Sequence, residues 1–269
     1  MYTLIFCFTG DAAAYALYDE LFNKGERKLR LVTDRELAFA SWLHQAGDDG
    51  IFFTSIRLHD GFVIEPAMIK ILVNRINYFA MPQFVKPADR SYAEMEMLAL
   101  YTSFIYSINE KVLDGMPVWH INTSENLLLF YSLAVKAGLP VVDNQFTSSP
   151  RWEHPKDQKP LAPQKKATAL WHKQSPNLEW ENKPALYNES FTNLVKVEVV
   201  ADKIICDKIS LRSLQQKIKK FSSLIGRTVY EITLAEIKKE YKLYGINVSP
   251  ALLSTEAIKE FAHLLISKK

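Results

Sequence analysis

The adjacent residues Asn74 and Arg75 are the pair in this sequence best placed to bind a ligand. They directly follow the apolar run Ile71-Leu72-Val73, which predicts a buried strand. Ligands of α/β proteins commonly bind at the ends of such strands, so both residues are candidate contacts for a peptide or protein partner. The alternative is an ion pair between Arg75 and a helix carboxylate, such as that of Glu94 or Glu96.

Familiar catalytic patterns do not emerge from the other reactive residue types. The six histidines include no pair with the spacing of metal ligands, and they support neither a Ser-His-Asp nor a Cys-His arrangement. The turn Thr9-Gly10-Asp11 follows an apolar run, but the glycines that a dinucleotide-binding turn requires are missing. We therefore assign no catalytic residue from these patterns.

The cysteines and the N-terminal run bear on the compartment. The two cysteines, Cys7 and Cys206, supply no disulfide framework and suit a reducing environment. The apolar run 2–8 lacks a basic flank and is too short for a signal sequence or a membrane span. We expect a cytoplasmic protein that does not contact a membrane.

A segment rich in proline, tryptophan and lysine separates two regular parts of the chain. Between residues 150 and 183 the periodicity disappears, which is typical of an irregular insertion. Because tryptophan is a favoured interface anchor, Trp152, Trp171 and Trp180 are candidate contacts to a peptide or partner. The alternative is a surface loop whose tryptophans fold back onto the main body. Seven basic residues here oppose four acidic ones, and the net charge is only +3, so we expect no nucleic-acid binding.

The pattern of the N-terminal part indicates a parallel α/β sheet. A strand over 2–8, a helix from 12 to 23 capped by Asp11, and a strand over 28–33 form a β-α-β opening. Asp60-Gly61 between two apolar runs predicts a hairpin. A long helix from Asp89 to about Lys111 carries one stripe of residues, namely Tyr92, Met95, Ala99, Thr102 and Tyr106.

The rest of the chain adds helices and strands in a second group. The pattern predicts a helix from about 123 to Gly138, with a short strand over 139–142. Strands over 194–200 and 203–206 flank an Ala201-Asp202 turn, and a helix capped by Ser210 ends at Gly226. Further elements are predicted at 229–234 and 241–248 (strands) and from Thr255 (a helix).

Several of these segments together resemble ATP-grasp proteins, in particular the peptide-maturing and glutamate-ligating branch that includes the microviridin-type ligases. Residues 73–76, 89–96 and 137–141 are similar to the front part of that family. Leu186-Tyr187-Asn188-Glu189 resembles the hinge strand that contacts adenine, and 195–199 resembles the strand after it. Gly245-Ile246-Asn247-Val248-Ser249-Pro250 resembles the family motif E-V-N-P-S-P.

The resemblance implies an α/β fold of the ATP-grasp type, with an N-terminal Rossmann-like pre-grasp domain, a C-terminal grasp half and a shortened central lid subdomain. We place the three parts at 1–145, 146–184 and 185–269. Intact members are ATP-dependent carboxylate–amine ligases that use Mg²⁺. The resemblance assigns four positions to the nucleotide, namely Asn188, Glu189, Lys196 and Asn247. It assigns two positions to the metal, namely Glu231 and Asn247. Each could equally be an ordinary polar strand residue.

The sequence departs from the family pattern where phosphate and metal are bound. No glycine occurs from 139 to 225, although a phosphate-binding loop needs pliant backbone. The metal-binding glutamate of the tail motif is replaced by Gly245. The earlier family aspartate falls at Thr233, with Glu231 two residues away on the same strand face.

These departures lead to two hypotheses. The first is a pseudoenzyme, a degenerate ATP-grasp scaffold that binds a peptide or partner protein in peptide or natural-product modification and needs no cofactor. The second is a divergent, active carboxylate–amine ligase that uses ATP and Mg²⁺ through Lys196, Glu231 and Asn247 in shifted roles. Either is compatible with a homo-oligomer.

Overall fold

A computed structural model describes residues 1–48, 52–76, 79, 87–113, 127–142, 193–206, 211–250 and 252–268. The strands in these ranges are β1 (Tyr2–Cys7), β2 (Leu29–Thr33), β3 (Ser41–Ala46), β4 (Phe52–Arg57), β5 (Val63–Ile64), β6 (Ile69–Asn74), β7 (Val112–Leu113), β8 (Asn193–Val200), β9 (Lys203–Ile205), β10 (Val229–Ile237) and β11 (Glu240–Asn247). The helices are α1 (Ala12–Asn23), α2 (Asp34–Ala38), α3 (Pro87–Ser107), α4 (Leu127–Ala137), α5 (Arg212–Ile225) and α6 (Thr255–Ser267). None of these helices has the length and apolarity that crossing a membrane requires.

The N-terminal elements form the parallel sheet that the β-α-β pattern predicts. Its strand order is β2-β1-β6-β7, and β1 pairs in parallel with both β2 and β6. Strand β1 is apolar at nearly every position because helices cover both faces of the sheet, α1 and α6 on one side and α3 on the other. Asp11 caps α1 as predicted, since its carboxylate accepts a hydrogen bond from Ala14 N at 3.1 Å.

A small antiparallel sheet, β3-β4-β5, confirms the predicted hairpin and adds a strand that the pattern did not reveal. The Asp60-Gly61 turn joins β4 to β5, with Gly61 at φ 86°. Strand β3 was missed because its inward face carries a polar residue, His44. The ring nitrogens of His44 lie 2.7 Å from Thr54 Oγ1 on β4 and 2.8 Å from Ser103 Oγ on α3. The hydrogen bonds replace the apolar contacts that an alternating strand would make.

Helix α3 buries a different face from the stripe that the sequence pattern suggested. It ends at Ser107, before a short 3₁₀ turn, and not near Lys111. Its side chains in the core are Met97, Tyr101, Phe104 and Ile105. The stripe of Tyr92, Met95, Ala99 and Tyr106 lies on the opposite side and is exposed. Both faces of this helix are therefore rich in large apolar or aromatic side chains.

The C-terminal elements form an antiparallel sheet with the order β11-β10-β8-β9. Its apolar face packs against α4 and α5. The predicted helix end at Gly226 is confirmed, because this residue adopts the left-handed conformation at φ 63°. The predicted Ser210 cap lies outside the described residues, and α5 follows Leu211 without a side-chain cap. The predicted strand over 139–142 is a single parallel bridge between Val141 and Leu243.

One apolar cluster joins the two larger sheets. It contains Ala13 and Leu17 of α1, Phe261 of α6, and Val200 and Val229, which pair at one end of the two central strands of the antiparallel sheet. Helix α6 therefore packs against the N-terminal parallel sheet and the C-terminal antiparallel sheet at once, which fixes one relative to the other.

The burial of Cys7 at the end of β1 gives a testable chemical consequence. Burial, with the Asp11 carboxylate adding to it, raises the pKa of the Cys7 thiol from 9.0 to about 12. Because the thiolate is the reactive form, only the half-buried Cys206 should react with a thiol reagent at pH 8 in the native protein. Both cysteines should react in denaturant, and two rapidly reacting native thiols would contradict the prediction.

The raised pKa also gives a direction for stability against pH. The native state keeps the Cys7 proton between about pH 9 and 12 while the unfolded state releases it. Stabilisation from this group is therefore complete below pH 9 and declines as the pH rises towards 12. The variant Cys7→Ala should lack this part of the decline in urea unfolding, and Cys206→Ala should retain it.

Candidate functional site

Three of the predicted site residues, Lys196, Glu231 and Asn247, lie on one face of the antiparallel sheet. Glu231 in the central strand β10 is directly opposite Asn247 in β11. Lys196 in β8 is opposite Thr233, two residues further along β10. Residues directly opposite in an antiparallel pair share a face, as do residues two apart in a strand. The arrangement forms a polar face opposite the apolar face that packs against α4 and α5.

The charged groups on this polar face pair with each other. Lys196 Nζ lies 3.2 Å from each carboxylate oxygen of Glu231. The Lys196 side chain is 73% exposed and that of Glu231 only 12%. An ion pair with one exposed partner contributes at most about 1 kcal/mol to stability. The larger consequence of this pair is for the charge of the polar face. Lys196 neutralises Glu231, the acid that the family resemblance assigns to a metal.

The Asn247 side chain shapes the end of strand β11. Its Oδ1 accepts a hydrogen bond from Ser249 N at 3.1 Å, a local turn that lets the chain leave the sheet. One acceptor position of the amide oxygen is therefore used by the backbone of the same motif.

Glu198 is a polar-face residue that the sequence interpretation missed. It lies opposite Glu231 on the other neighbouring strand, β8. Its carboxylate accepts hydrogen bonds from the Ser254 N–H at 2.8 Å and from the Ser254 hydroxyl, at the start of α6. The signal that could have found it is the two-residue spacing from Lys196, which places both side chains on one face. Its observed contacts serve to hold the C-terminal helix.

Gly245 lies beside these groups, opposite Thr233. A Cβ atom added at this position would meet Thr233 Cβ at 3.9 Å, an ordinary van der Waals contact, and the backbone does not require glycine. The strand therefore has room for a side chain where the family motif carries a glutamate.

As described, each carboxylate on this face is engaged by another protein group, which does not fit a set of free magnesium ligands. Mg²⁺ prefers several oxygen ligands in octahedral geometry, usually with one or two carboxylates. Here Glu231 is paired with a lysine, Glu198 binds a helix start, and Gly245 supplies no ligand. Within the described ranges no group of three or more His, Cys, Asp or Glu could hold a metal ion. No chemical step through a metal follows from this arrangement.

The other predicted pair, Asn74 and Arg75, lies at the carboxyl end of β6 and is buried, with 5% and 6% exposure. Arg75 Nε and Nη2 donate to the two carboxylate oxygens of Asp11 at 2.7 and 3.0 Å. The partner is thus Asp11, and neither Glu94 nor Glu96. Asp11 could have been found from the sequence, because it follows the neighbouring parallel strand at the same edge of the sheet.

A second contact of Arg75 connects this edge to the tail motif. Its Nη2 also donates to the Pro250 carbonyl oxygen at 2.7 Å. Asn74 Oδ1 accepts hydrogen bonds from the Tyr101 hydroxyl at 2.6 Å and from Ile76 N at 3.1 Å. Both side chains are held by the protein itself, and contact with a peptide or partner stays a prediction for them.

The remaining predicted positions lie outside the described residues. They are the two hinge-strand residues Asn188 and Glu189 and the three tryptophans of the central part, Trp152, Trp171 and Trp180. Their roles stay predictions.

Substituting Arg75 tests how much its buried ion pair with Asp11 contributes to the free energy of unfolding. The variant Arg75→Met leaves the Asp11 carboxylate buried without its cation, so we expect a loss of about 3–5 kcal/mol in the free energy of unfolding. Urea denaturation measures it. Arg90→Met is the matched control, because Arg90 forms an exposed pair with Glu94 within α3 and should cost less than about 1 kcal/mol. Equal small losses in both variants would contradict the prediction.

Comparison with known proteins places this geometry in a fold family. No protein-family model matches the chain, and no curated protein matches it in sequence. Among solved structures, macrocyclase MdnB from Microcystis aeruginosa MRC superimposes with a TM-score of 0.74 at 15% identity, covering 98% of this chain and 99% of that one. A Chryseobacterium gregarium RiPP-associated ATP-grasp ligase, in complex with ADP and a leader and core peptide, gives 0.72 at 13% identity over 100% and 98%.

A third match is the ATP-grasp ligase PsnB complexed with minimal precursor, Mg and ADP, with a TM-score of 0.68 at 16% identity over 99% of this chain and 97% of that one. Identities this low carry information on the fold alone. Together with the parallel and antiparallel sheets described above, they confirm the fold that the sequence resemblance implied: this chain has an ATP-grasp fold.

Proposed function

We propose that this chain is a non-catalytic subunit in peptide modification, which binds a peptide or a partner protein on an ATP-grasp scaffold. The peptide part of the proposal is supported by its structural neighbours. The Chryseobacterium gregarium ligase is in complex with a leader and core peptide, and PsnB is complexed with a minimal precursor. A chain with the same fold, matched over almost its whole length, is a reasonable binder of the same class of ligand.

The pairing of Glu231 with Lys196 carries the non-catalytic part of the proposal. In an ATP-dependent ligase, metal ions neutralise the charge of the transferring phosphoryl group, an effect of several kcal/mol. Each 1.36 kcal/mol corresponds to about a tenfold change in rate, so losing the metal slows the reaction by orders of magnitude. On this polar face Glu231 is paired with a lysine, and Gly245 stands where the tail motif of the family carries a glutamate.

The second candidate function is an active, divergent carboxylate–amine ligase. It is favoured by the placement of Lys196, Glu231 and Asn247 on one face of adjacent strands. In this case Lys196 would bind a phosphate or carboxylate, and Glu231 with Asn247 would bind Mg²⁺. The structural neighbours that hold ADP are consistent with it. The two functions differ in one measurable property, the Mg²⁺ dependence of nucleotide binding.

Calorimetry of the unmodified chain with ADP, with and without Mg²⁺, distinguishes them. The proposal predicts no Mg²⁺-dependent binding at millimolar ADP, because the tail motif lacks its carboxylate at Gly245 and the two glutamates of the polar face, Glu231 and Glu198, bind Lys196 and Ser254. The variant Gly245→Glu should gain Mg²⁺ affinity by about tenfold or more, since its carboxylate would lie diagonally from Glu231 with Asn247 alongside.

The matched control is Gly245→Gln, which has the same size and carries no charge. A gain in Gly245→Glu alone would show that the polar face is a degenerate metal site that one carboxylate restores. Tight Mg²⁺-dependent ADP binding by the unmodified chain would overturn the non-catalytic proposal in favour of the ligase.

Peptide binding is tested separately, with fluorescent peptides encoded beside the gene of this chain and anisotropy as the readout. We expect binding without nucleotide, and a loss of about tenfold or more when Trp152, Trp171 and Trp180 are all changed to alanine. Changing Lys165 and Lys166 to alanine is the control within the same segment. Binding that needs ATP and Mg²⁺ would contradict the proposal, and an unchanged affinity in the triple variant would remove the tryptophans from it.

A further inference from the structure

A cleft of about 300 Å³ opens between the turn that joins β8 to β9 and the second half of α6. Its volume is at the lower end of the range for small-ligand sites in proteins. The buried Val200 and the half-buried Leu264 form its apolar part. Its polar part consists of Asp202, Lys203, Glu260 and His263. Among the described residues, those of the polar face discussed above do not line this cleft, so it is a separate candidate for binding.

Both sides of the cleft are held in place by the fold. On α6, Glu260, His263 and Leu264 follow the i, i+3, i+4 spacing that puts side chains on one helix face. On the other side, Ala201 adopts the left-handed conformation at φ 52°, which is uncommon for a residue other than glycine. Its N–H donates to the Thr228 carbonyl oxygen at 2.7 Å, which holds the turn in that conformation. The shape of the cleft is therefore set by the backbone of the protein itself.

The charged groups of the cleft favour a cation. Its lining contains two carboxylates, those of Asp202 and Glu260, and only one ammonium, that of Lys203. Asp202 forms no salt bridge with any residue that the structure describes. The remaining polar group is the imidazole of His263, and a neutral imidazole has one nitrogen that accepts a hydrogen bond. Acceptors and negative charge therefore outweigh the single donor.

The pairing of Lys203 with Glu260 indicates which group this acid accepts. The Lys203 ammonium donates to a carboxylate oxygen of Glu260, from the start of β9 to α6. The Lys203 side chain is 51% exposed and that of Glu260 is 32% exposed. Because an ion pair this exposed is weak, a second ammonium can compete for the same carboxylate. The hydrocarbon stem of the competing group would lie against Val200 and Leu264.

We propose that this cleft binds a primary alkylammonium group, with the ammonium at Glu260 and Asp202 and the hydrocarbon stem on Val200 and Leu264. A lysine side chain of a peptide or protein partner has this chemistry, and so has a free alkylamine. Lys203 occupies the ammonium position in the absence of a ligand and leaves it when one binds. The inference depends neither on the polar face of the antiparallel sheet nor on the non-catalytic function proposed above.

Titration with butylamine, followed through the amide chemical shifts of the isotope-labelled full-length chain, tests the proposal. Butylamine reproduces the stem and the single ammonium of a lysine side chain. Burying such a stem beside one partly exposed ion pair corresponds to a dissociation constant on the order of 1 mM. We expect chemical-shift changes at the turn between β8 and β9 and in the second half of α6. Butyrate has a similar stem with the opposite charge and should not bind.

Two variants should change the affinity for butylamine in opposite directions. Lys203→Gln removes the competing ammonium, so it should tighten binding about two- to fivefold. Glu260→Gln removes the carboxylate that takes the ammonium, so it should weaken binding about fivefold. Glu240→Gln is the matched control, because Glu240 is exposed on β11, at the opposite edge of the same sheet from β9. A disturbed fold would not increase the affinity, so Lys203→Gln keeps the test independent of stability.

Nα-acetyl-lysine amide, which is lysine in the form it has inside a peptide, distinguishes the two sources of the ligand. Binding at least as tight as that of butylamine supports a lysine of a peptide or protein partner, and binding of butylamine alone supports a free amine. Three results overturn the proposal. They are the absence of butylamine-dependent shifts in both the parent and Lys203→Gln, equal affinity for butyrate and butylamine, and butylamine binding that Glu260→Gln leaves unchanged.

Discussion

The buried contact of Arg75 with Asp11 and Pro250 is the interaction on which the relative placement of the parts depends. Asp11 caps α1, Arg75 directly follows β6, and Pro250 is the last residue of the tail motif, so three segments far apart in sequence meet at one guanidinium. Burying two charges costs free energy, which is offset only when the geometry is good and the other polar atoms are satisfied. Here both carboxylate oxygens of Asp11 receive hydrogen bonds from the guanidinium, and one also receives a backbone N–H.

This contact links the edge of the N-terminal sheet to the polar face of the C-terminal sheet. Pro250 lies three residues after Asn247, and the intervening chain is folded back by the hydrogen bond from Ser249 N to the Asn247 side chain. The end of the tail motif is thus held from both sides. Apolar packing of α6 against both sheets holds the same junction without directional contacts. The pairing of β10 with β11 itself keeps Asn247 beside Glu231.

Sequence reasoning was most successful where a local pattern determines the structure. The alternation of apolar runs with capped helices gave the β-α-β opening, and Asp60-Gly61 gave the hairpin, because turn and cap residues act through their own backbone. Because residues two apart in a strand share a face, the sequence also placed Glu231 on the same face as Thr233, the position of the family aspartate. These features need no information from distant segments.

Sequence reasoning failed where contacts with residues distant in sequence determine the structure. Strand β3 was missed because His44 faces inward and is satisfied by Ser103 on α3, 59 residues away. The partner of Arg75 is 64 residues away, and the carboxylates suggested for it are on α3. The buried face of α3 could not be chosen from its sequence alone, since aromatic and apolar residues occupy both sides and only the packing of β1 and β4 decides between them.

The alternation of side chains in a strand explains how a scaffold can be kept while its chemistry changes. In β10 the residues Tyr230, Ile232 and Leu234 point into the core with α4 and α5, whereas Glu231 and Thr233 point to the polar face. Substituting a polar-face residue therefore leaves the apolar contacts of the same strand intact. Gly245 illustrates the point. It pairs with Thr233 on the polar face, whereas Leu243, which pairs with the next residue of β10, Leu234, is fully buried. The apolar contacts that stabilise the fold and the polar side chains lie on opposite faces of the same three strands, so a substitution on the polar face need not weaken the fold.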